Sequence, residues 1–396
     1  MLALREHGNK TMVLFLHNRY RTPGGEEQAV ASLQRLVTEW IGESAALLQA
    51  DSARIGRLAA ARGLLAGGSA PEQLLGELAS ARANERVILH AHNLPPAFGW
   101  RTLAAARSQG ARVVLHLHQY RLVCANGVCF THGADCTRCH GRNTLPGLRL
   151  RCRGSLSEGI AYAAAIALWQ RRLAAAAHAL ILPSRFAARR LRELGAPLCF
   201  ERVHVLPPPL FDYAQRSGAA EGRYALVAAR LSHEKGVDLA IDACAHAGVE
   251  LRIAGDGPLR GALEARARER ARAQVRFLGR VGAGELARLR AGAALAICPS
   301  RSENFPTAAA EAMAAGLPVV GTAVGGTPEL LPAEWLVERE DLSGLSALVA
   351  RHFGDAAAGQ IALARVWEIC APEAVAERLA EIYEEASAGN APAPLR

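Results

Sequence analysis

Two glutamates with seven residues between them, Glu303 and Glu311, lie in the segment of this sequence that is most informative about chemistry. An apolar run that predicts a strand comes first, and a polar loop at residues 299–304 follows it. An alanine-rich stretch then predicts a helix that begins near Pro306 and ends at Gly316. Proline suits the first helical position, because an amide hydrogen there would have no acceptor within the helix. The pattern places one carboxylate just before a helix start and the other inside the helix.

The start of this helix is a candidate phosphate site. The first backbone amides of a helix have no partner within it, so those of Thr307 and Ala308 are expected to point out of the helix end. Such amides, together with the helix dipole, favour a phosphate group. Glu311 lies about 7–8 Å farther along the axis, at about 1.5 Å per residue. One carboxylate could then contact a sugar on one side of a diphosphate and the other a ribose on the opposite side, which predicts a nucleotide-sugar site.

In this setting the chain resembles the retaining GT-B glycosyltransferases of the family 4 type (glycosyl transferases group 1). The donor domain of that family carries a Glu-x7-Glu motif, which Glu303 and Glu311 match, and the Phe-Pro helix start and the AEAMAAGLPVV segment extend the match. The resemblance covers most of the chain, strongly over residues 224–332 and weakly over residues 11–207. It implies two Rossmann-like α/β domains that face a cleft, with a final helix that crosses back to the first domain. It also implies transfer of a sugar with retention at its anomeric carbon.

Two cations, Arg230 and Lys235, follow the first predicted strand of the second half, and Lys235 is one of only two lysines in the chain. The resemblance places a diphosphate contact here. Fixed cations beside a departing diphosphate would stabilise its charge without a metal ion, and the sequence has no Asp-x-Asp motif after a strand. We therefore expect catalysis to need no cofactor. Gly255 lies in a Gly-Asp-Gly-Pro turn at the end of the next predicted strand, where open α/β sheets bind ligands, although such a turn is also ordinary in proteins.

In the first half, two adjacent glycines, Gly24 and Gly25, follow the first predicted strand and open a helix. Glycines let a backbone come close to a diphosphate or a sugar, and the resemblance places this loop against the donor. His116 and His118 end a later strand and share one face, because strand side chains alternate. The resemblance matches His118 with a histidine that contacts the donor sugar near the reacting centre, whereas His116 is expected to lie in the core. His92, which follows the preceding strand, is a candidate for an acceptor contact.

Five cysteines fall within one loop of the first half: Cys124, Cys129, Cys136, Cys139 and Cys152. Cys136 and Cys139 have the spacing of a zinc knuckle, and with Cys124 and Cys152 they could form a tetrahedral structural zinc site. A long loop without regular secondary structure needs a stabilising element, which a metal ion would supply. Unbound thiols are a second interpretation, and a disulfide is a third that cytosolic conditions disfavour. Cys129 would be left over, unless His132 or His140 replaces one of the cysteines.

The composition is that of an ordinary globular protein, with 51% hydrophobic and 21% charged residues. At 396 residues the chain exceeds the usual size of a single core, so two domains are expected. The first residues lack the pattern of a signal peptide. The longest apolar run, residues 160–169, is too short to span a membrane. We therefore expect a cytoplasmic protein, at most peripheral on the inner face of the membrane.

Positive charge is concentrated in the first half. Residues 1–207 carry 26 lysines and arginines against 13 acidic residues, whereas the remainder carries 20 against 24. This asymmetry favours an anionic partner, either a phosphate-bearing acceptor or an anionic membrane surface. Nucleic acid is not expected, because the sequence has no basic stripe interleaved with aromatic residues and no helix-turn-helix pattern. Solvated arginine faces without a partner are the alternative.

Short apolar runs alternate with helical patterns in both halves, which predicts parallel sheets in two α/β domains. Three consecutive prolines at residues 207–209 separate the halves. We expect an acceptor-side domain over residues 1–207, with a cysteine-rich loop at about 120–155, and a donor domain over residues 208–371. Residues 372–396 are expected to form a carboxyl-terminal helix and tail.

The predicted reaction is transfer of a sugar from a nucleotide diphosphate donor to a hydroxyl acceptor, in bacterial polysaccharide or lipid-linked glycan synthesis. Front-face attack is expected, with the departing phosphate taking the acceptor proton. A GT-B nucleotide-sugar epimerase and a non-catalytic nucleotide-sugar-binding protein are the alternatives. The predicted catalytic residues are His118, Arg230, Lys235 and Glu303. The predicted donor-binding residues are Gly24, Gly25, Gly255, Asn304, Phe305, Thr307, Ala308 and Glu311.

Overall fold

The structure is a computed structural model, and it describes residues 10–20, 24–80, 85–211, 216–270 and 274–388. The chain divides into two compact units. The first comprises Met1–Thr131, Cys136–Pro209 and Pro372–Arg396, and the second comprises His132–Asp135 and Leu210–Ala371. None of the helices in the described ranges is both long enough and apolar enough to cross a bilayer.

The first unit is built on a parallel sheet of six strands. Its strands are almost continuous apolar runs, because helices cover both faces of such a sheet. The strands of this part of the chain are β1 (Thr11–Arg19), β2 (Ser44–Asp51), β3 (Arg86–Ala91), β4 (Arg112–His116), the two-residue β5 (Phe130–Thr131) and β6 (Ala134–Asp135), β7 (Ala179–Leu182) and β8 (Val203–Val205). The helices are α1 (Gly25–Leu36), α2 (Arg57–Ala66), α3 (Glu72–Ser80), α4 (Trp100–Ser108), α5 (Leu145–Arg149), α6 (Leu156–Ala176) and α7 (Arg185–Glu193). The strand order in the sheet is β2-β1-β3-β4-β7-β8.

The second unit contains another parallel sheet of six strands. Its strands are β9 (Ala225–Ala228), β10 (Leu251–Ala254), β11 (Val275–Gly279), β12 (Leu295–Cys298), β13 (Val319–Thr322) and β14 (Leu336–Val337). Its helices are α8 (Val237–Ala247), α9 (Arg260–Glu269), α10 (Ala283–Ala291), α11 (Thr307–Ala314), α12 (Thr327–Leu330), α13 (Leu342–His352) and α14 (Ala356–Cys370). The strand order, β11-β10-β9-β12-β13-β14, is that of the doubly wound dinucleotide-binding fold. The prediction of two parallel-sheet α/β domains is confirmed.

The last helix, α15 (Pro372–Ala388), belongs to the first unit although it follows the second in sequence. It packs against β4 and β7. Val375, Leu379 and Ile382 are buried on it, and the hydroxyl of Tyr383 lies 2.8 Å from Nδ1 of His90. The chain therefore returns to its first unit, as the resemblance implied.

Both sheets reverse their strand order next to their first strand. The reversal lies between β1 and β3 in the first unit and between β9 and β12 in the second. Crossover helices on the two sides of such a point diverge and leave a crevice outside the carboxyl ends of the strands. Ligands of open α/β sheets bind in this crevice, so the residues that follow these four strands are the first candidates for a site.

Candidate functional site

Lys235 and Glu303 form an ion pair at the carboxyl ends of β9 and β12. Nζ of Lys235 lies 2.6 Å from Oε2 of Glu303, and the two residues are 68 positions apart in sequence. The hydroxyl of Ser300 donates to the same carboxylate oxygen at 3.2 Å. The Glu303 side chain is 12% exposed and that of Lys235 is 27% exposed. The structure thus brings two of the predicted catalytic residues together at the point of strand reversal.

The charges of this pair support each other. Burial by itself would lower the pKa of Lys235, but the Glu303 carboxylate raises that pKa above its ordinary value. The thiol of Cys298, at the end of β12, has its pKa raised to about 11, first by burial and then by Glu303. Lys235 is therefore a fixed cation at neutral pH, and the thiol beside it is uncharged.

Close backbone packing holds the loop that carries Glu303. Gly325 has a φ of +61°, and a Cβ placed on it would lie 1.7 Å from the carbonyl oxygen of Glu303. The amide of Gly326 donates to that oxygen at 3.2 Å. Gly236 has a φ of +59°, and a Cβ on it would lie 2.0 Å from the carbonyl oxygen of Pro299. Glycine is needed at both positions, because any side chain would be strained and would displace the loop.

Glu311, in the second turn of α11, forms an ion pair with Arg290 of α10. The Arg290 side chain is only 4% exposed, and that of Glu311 is 19% exposed. A buried charge is costly unless it is paired, so each of these residues fixes the position of the other. The Glu311 carboxylate is therefore held in place from the side of α10.

The start of α11 differs from the prediction. Pro306 is the N-cap residue, with φ −82° and ψ 70°, and Thr307 is the first residue of the helix. The amide of Thr307 donates to the carbonyl of Phe305 at 2.9 Å. The prediction that this amide points unpaired out of the helix is wrong, because the tight turn centred on Pro306 brings the Phe305 carbonyl within its reach. Ala308 is exposed at the helix start, and its predicted phosphate contact stays a prediction.

The other predicted residues of the second unit have different settings. Arg230 is exposed shortly after β9, and Asn304 is half-buried in the loop after β12. Phe305 packs into the hydrophobic core of the unit. Gly255 has a φ of +145°, and a Cβ on it would lie 1.8 Å from the carbonyl oxygen of Ala229. Packing within the chain is therefore enough to explain why phenylalanine occupies position 305 and glycine position 255, whether or not they contact a ligand.

Four histidines at the ends of β3 and β4 form a cluster in the first unit, called here the histidine cluster: His90, His92, His116 and His118. Neighbours across the two strands lie within hydrogen-bonding distance, His92 Nδ1 with His118 Nε2 at 2.9 Å and His90 Nε2 with His116 Nδ1 at 3.3 Å. Neighbours along one strand stack, with ring centroids 4.5 Å apart on β3 and 4.3 Å apart on β4. The cluster therefore consists of two hydrogen-bonded histidine pairs whose rings stack on each other.

Burial keeps the histidine cluster uncharged. Burial, with a smaller contribution from His118, lowers the pKa of His90 to about 3. The pKa values of His92 and His116 are also well below the ordinary value, because of burial and of neighbouring histidines. Burial lowers the pKa of His118 as well. Among the described residues, His90, His92 and His116 are the set whose ligand atoms all lie within 4.8 Å, but both His90 nitrogens are engaged by Tyr383 and His116. This arrangement suits a hydrogen-bonded network better than a metal site.

The glycines after β1 border open space. Gly24 is the N-cap of α1 with an extended backbone, φ −149°, and its amide donates to Glu27 at 2.7 Å. Within the described part of the chain, no heavy atom lies within 4 Å of a Cβ placed on Gly24 or Gly25. The fold itself therefore does not require glycine here, and the space is what close approach of a ligand needs. Pro23, which precedes them in the predicted loop, lies outside the described residues.

The sequence of the second unit matches a known family. Residues 212–350 match the family model described as Glycosyl transferases group 1. This part of the chain is therefore similar to the group 1 glycosyltransferases. The resemblance first drawn from Glu303 and Glu311 is thereby confirmed at the level of the family.

Two curated relatives match half of the chain or less. The phosphatidylinositol N-acetylglucosaminyltransferase gpi3 subunit of Schizosaccharomyces pombe is 31% identical over 213 residues, which are 50% of this chain and 46% of that protein. Glycogen synthase of Mycobacterium tuberculosis is 38% identical over 154 residues, which are 37% of this chain and 36% of that protein. The chain thus spans less than half the length of these two relatives.

Solved structures extend the likeness over both units. Anabaena HepE in complex with UDP and glucose superposes with a TM-score of 0.63 at 18% identity, covering 94% of this chain and 99% of that chain. At such low identity the likeness shows the fold alone, which is that of the GT-B glycosyltransferases. The predicted fold class is confirmed.

Three residues around the candidate site of the second unit were not predicted. Ser300 and Arg290 bond to the two predicted glutamates. Arg301 binds both carboxylate oxygens of Asp238 at 2.7 Å and also contacts Glu340, so it ties the loop to the start of α8. The glycine pair that supports the Glu303 loop did have a signal in the sequence. Gly325 and Gly326 follow a predicted strand closely, as Gly24 and Gly25 do.

The predicted cysteine loop lies in the first unit apart from its residues 132–135. Its five cysteines line one pocket: Cys124, Cys129, Cys136, Cys139 and Cys152. All nine cysteines of the chain fall within the described residues, and each is a free thiol.

Proposed function

We propose that the protein transfers a sugar, with retention, from a nucleotide diphosphate sugar to a hydroxyl acceptor. The observation that carries this proposal is the Lys235–Glu303 ion pair at the strand reversal of a group 1 glycosyltransferase domain. The UDP bound to the similarly folded HepE and the N-acetylglucosaminyltransferase name of the S. pombe relative support a nucleotide-sugar donor. The proposed setting is bacterial polysaccharide or lipid-linked glycan synthesis, on the cytoplasmic side of a membrane.

Each charged residue of the second unit has a proposed role at the donor. Lys235, with Arg230 beyond it, offsets the negative charge that grows on the diphosphate as the glycosidic bond breaks. Glu303 accepts hydrogen bonds from sugar hydroxyls, and Glu311 accepts them from the ribose. Because two fixed cations serve the leaving group, we propose that catalysis needs no metal ion.

The proposed mechanism is front-face attack. The acceptor hydroxyl forms its bond to the anomeric carbon on the face from which the diphosphate leaves, and the departing phosphate oxygen takes the hydroxyl proton. Retention follows, because the old and the new bond lie on the same face. In the first unit, His118 and the Gly24–Gly25 loop are proposed to contact the donor, and the open space beside both glycines supports that proposal for the loop.

The first experiment identifies the donor. A thermal-shift screen of nucleotide sugars should show stabilisation by one of them, because a ligand that binds only the folded state raises the melting temperature. Transfer from that donor is then measured with radiolabelled sugar and a glycan or lipid acceptor fraction. Release of a changed sugar nucleotide without an acceptor would instead indicate the epimerase, and binding without turnover a binding protein.

Variants then test the ion pair. Glu303→Gln and Lys235→Ala are each expected to lower the transfer rate by about 10²–10³-fold, the usual effect of removing one preorganised charge at a reacting centre. Lys10→Ala, which changes the other lysine, and Glu285→Gln, on the exposed face of α10, are matched controls expected to keep the wild-type rate. A wild-type rate in Glu303→Gln would exclude the proposed role.

For the acceptor side we propose an anionic membrane surface. Leu156, Ile160 and Leu168 are exposed along α6, where spacings of four and eight residues place them on one face. Leu145 of α5, which packs against α6, is exposed as well. Arg149, Arg151 and Arg171 are exposed on the same two elements or beside them. Apolar side chains flanked by arginines suit the interface of an anionic bilayer, where a lipid-linked acceptor would be found.

A further inference from the structure

The cysteine pocket is defined by five side chains that are far apart in sequence but surround one space: Cys124, Cys129, Cys136, Cys139 and Cys152. Cys124, Cys129 and Cys139 are buried, and Cys136 and Cys152 are half-buried. The proposed transfer reaction uses none of them. Four or more cysteines around one point are the usual composition of a structural metal site in a protein.

Side-chain contacts hold two of these sulfurs at the pocket. Sγ of Cys124 lies 3.1 Å from Oδ1 of Asn126, to which its thiol donates. Sγ of Cys152 lies 3.7 Å from Oγ1 of Thr131. Both thiols would release their protons on binding a metal ion.

Four of the five cysteines form a ligand set. Cys136 and Cys139 have the two-residue spacing of a zinc knuckle, and Cys124 and Cys152 line the same pocket. A Cβ placed on Gly147 would lie 3.4 Å from Sγ of Cys139, so glycine leaves room for that sulfur. Cys129 is left over, and its carbonyl accepts a hydrogen bond from the amide of Cys136 at 2.8 Å.

The loop around the pocket has little regular structure of its own. Between β4 and α6 it contains only β5, β6 and the five-residue α5 among its described elements. Cys129 and Arg151 have positive φ values of 52° and 50°, a conformation that non-glycine residues adopt only when their surroundings hold them. A cross-link at the pocket would supply that constraint.

We propose that the pocket binds one structural Zn²⁺ through the thiolates of Cys124, Cys136, Cys139 and Cys152, with Cys129 outside the ligand set. Four thiolates complete the tetrahedral shell of zinc, and the thiol protons pass to solvent on binding. No three of these described sulfurs lie within 4.8 Å of one another, so binding also draws the loop inward. The ion fixes the segment that follows His118, and it takes no part in the transfer.

Metal analysis of the purified full chain tests this proposal. Protein prepared under reducing conditions with zinc present is expected to hold about one zinc per chain. The double variant Cys136→Ser/Cys139→Ser should lose most of it. Cys199→Ser, which changes an exposed cysteine outside the pocket, is the matched control and should retain it. Cys129→Ser should also retain zinc, and loss there would overturn the four-ligand assignment.

A second measurement on wild-type protein does not depend on the folding of variants. Replacement of zinc by Co²⁺ should give intense sulfur-to-cobalt charge-transfer bands and the d–d spectrum of a tetrahedral thiolate site. Wild-type protein with no more zinc than the double variant, a disulfide among these cysteines, or the absorption of an iron–sulfur cluster would overturn the proposal. These readouts involve no sugar transfer, so the zinc site and the proposed reaction can fail separately.

Discussion

The carbonyl oxygen of Glu303 lies against Gly325, and this contact makes Gly325 sensitive to any side chain. Gly325→Ala is expected to lower the free energy of unfolding by about 1–3 kcal/mol, because the residue would be strained at its positive φ and would displace the loop. Under the proposed function, transfer should fall as well, since Glu303 moves. Urea denaturation and the transfer assay measure the two effects.

Gly261→Ala is the control for that change. Gly261 lies in α9, and a Cβ there would meet no heavy atom within 4 Å. Alanine should therefore stabilise the protein by about 0.5–1 kcal/mol, because glycine is unfavourable inside a helix. Equal unfolding free energies for the two variants would contradict the structural account of Gly325.

Arg290 and Glu311 allow a test that separates stability from binding. Arg290→Met leaves the Glu311 carboxylate without its partner and is expected to cost up to about 3–5 kcal/mol of unfolding free energy. The double variant Arg290→Met/Glu311→Met removes both charges and should recover much of that stability. Donor affinity, measured by calorimetry, should stay low in both. Full donor affinity in the double variant would argue against a ribose contact of Glu311.

Single residues at the ends of strands could be predicted from sequence, but their partners could not. Glu303 and Lys235 follow predicted strands, and parallel strands bring their carboxyl ends to one edge of the sheet. Arg290 is one of 44 arginines, and nothing in its local sequence distinguishes it. Its role depends on α10 and α11 being neighbours, which only the packed structure shows. The pairing of the Thr307 amide depends in the same way on a turn geometry that spacing does not specify.

At the scale of elements, the ends of β3 and β4 carry imidazoles that are neutral in the folded state. An unfolded histidine binds a proton below about pH 6.5, whereas folded His90 does so only near a pKa of about 3. The stability that the histidine cluster contributes is therefore complete above pH 6.5 and is lost as the pH falls toward 3. We expect the melting temperature to fall between about pH 7 and about pH 5.

Calorimetric melting over this pH range is the measurement. His90→Gln should reduce the dependence of the melting temperature on pH, even if it lowers stability at every pH. His233→Gln, an exposed position in the second unit, is the control. An unchanged pH dependence in His90→Gln would exclude His90 as a source of acid sensitivity.

The contact between α15 and β3 gives a further test. Tyr383→Phe removes the partner of His90 Nδ1, and a buried polar atom left without a hydrogen bond costs about 1–3 kcal/mol. Ser387→Ala removes a hydroxyl that bonds to the Tyr383 carbonyl within the same helix, and it should change stability by no more than about 0.5 kcal/mol. Urea denaturation distinguishes them, and equal stabilities would show that the Tyr383–His90 bond contributes little.

Most strands of the two sheets could be predicted, because continuous apolar runs are a local property. A helix was predicted through Ile41, but the π-helical geometry of Val37–Ile41, which extends α1, was not. The N-cap position of Pro306 and the short elements β5, β6 and α5 were also beyond sequence reasoning. Each of these depends on what packs against it rather than on periodicity. The order of the first sheet, with β3 beside β1, likewise follows from packing and not from the run of strands.

At the scale of the whole molecule, the uneven charge of the sequence leads to a test of membrane binding. The full chain should sediment with vesicles that contain phosphatidylglycerol, and less so with phosphatidylcholine alone or at high salt, because screening weakens charge attraction. The triple variant Leu156→Ser/Ile160→Ser/Leu168→Ser should bind more weakly. Ile361→Ser changes an exposed isoleucine of the second unit and is the control. Wild-type binding by the triple variant would exclude α6 as the contact.

The two parallel sheets and the family of the second half could be recognised from the sequence as a whole. The identity of the acceptor could not be predicted, because the first half lies outside the matched family region of residues 212–350. Its distinctive features are a histidine cluster and a cysteine pocket, which long-range packing brings together. The exposed face of α6 was equally hidden, since the same leucines and alanines would suit a buried helix.

The ion pair of Lys235 can be monitored by chemical labelling of lysine amines. The chain has only two lysines, and Lys10 is exposed. Acylating reagents attack neutral amines, and the raised pKa of Lys235 in its bond to Glu303 keeps that amine protonated and slow to react. Lys10 should therefore be labelled first, and the rate at which Lys235 acquires label would report how often its bond to Glu303 opens.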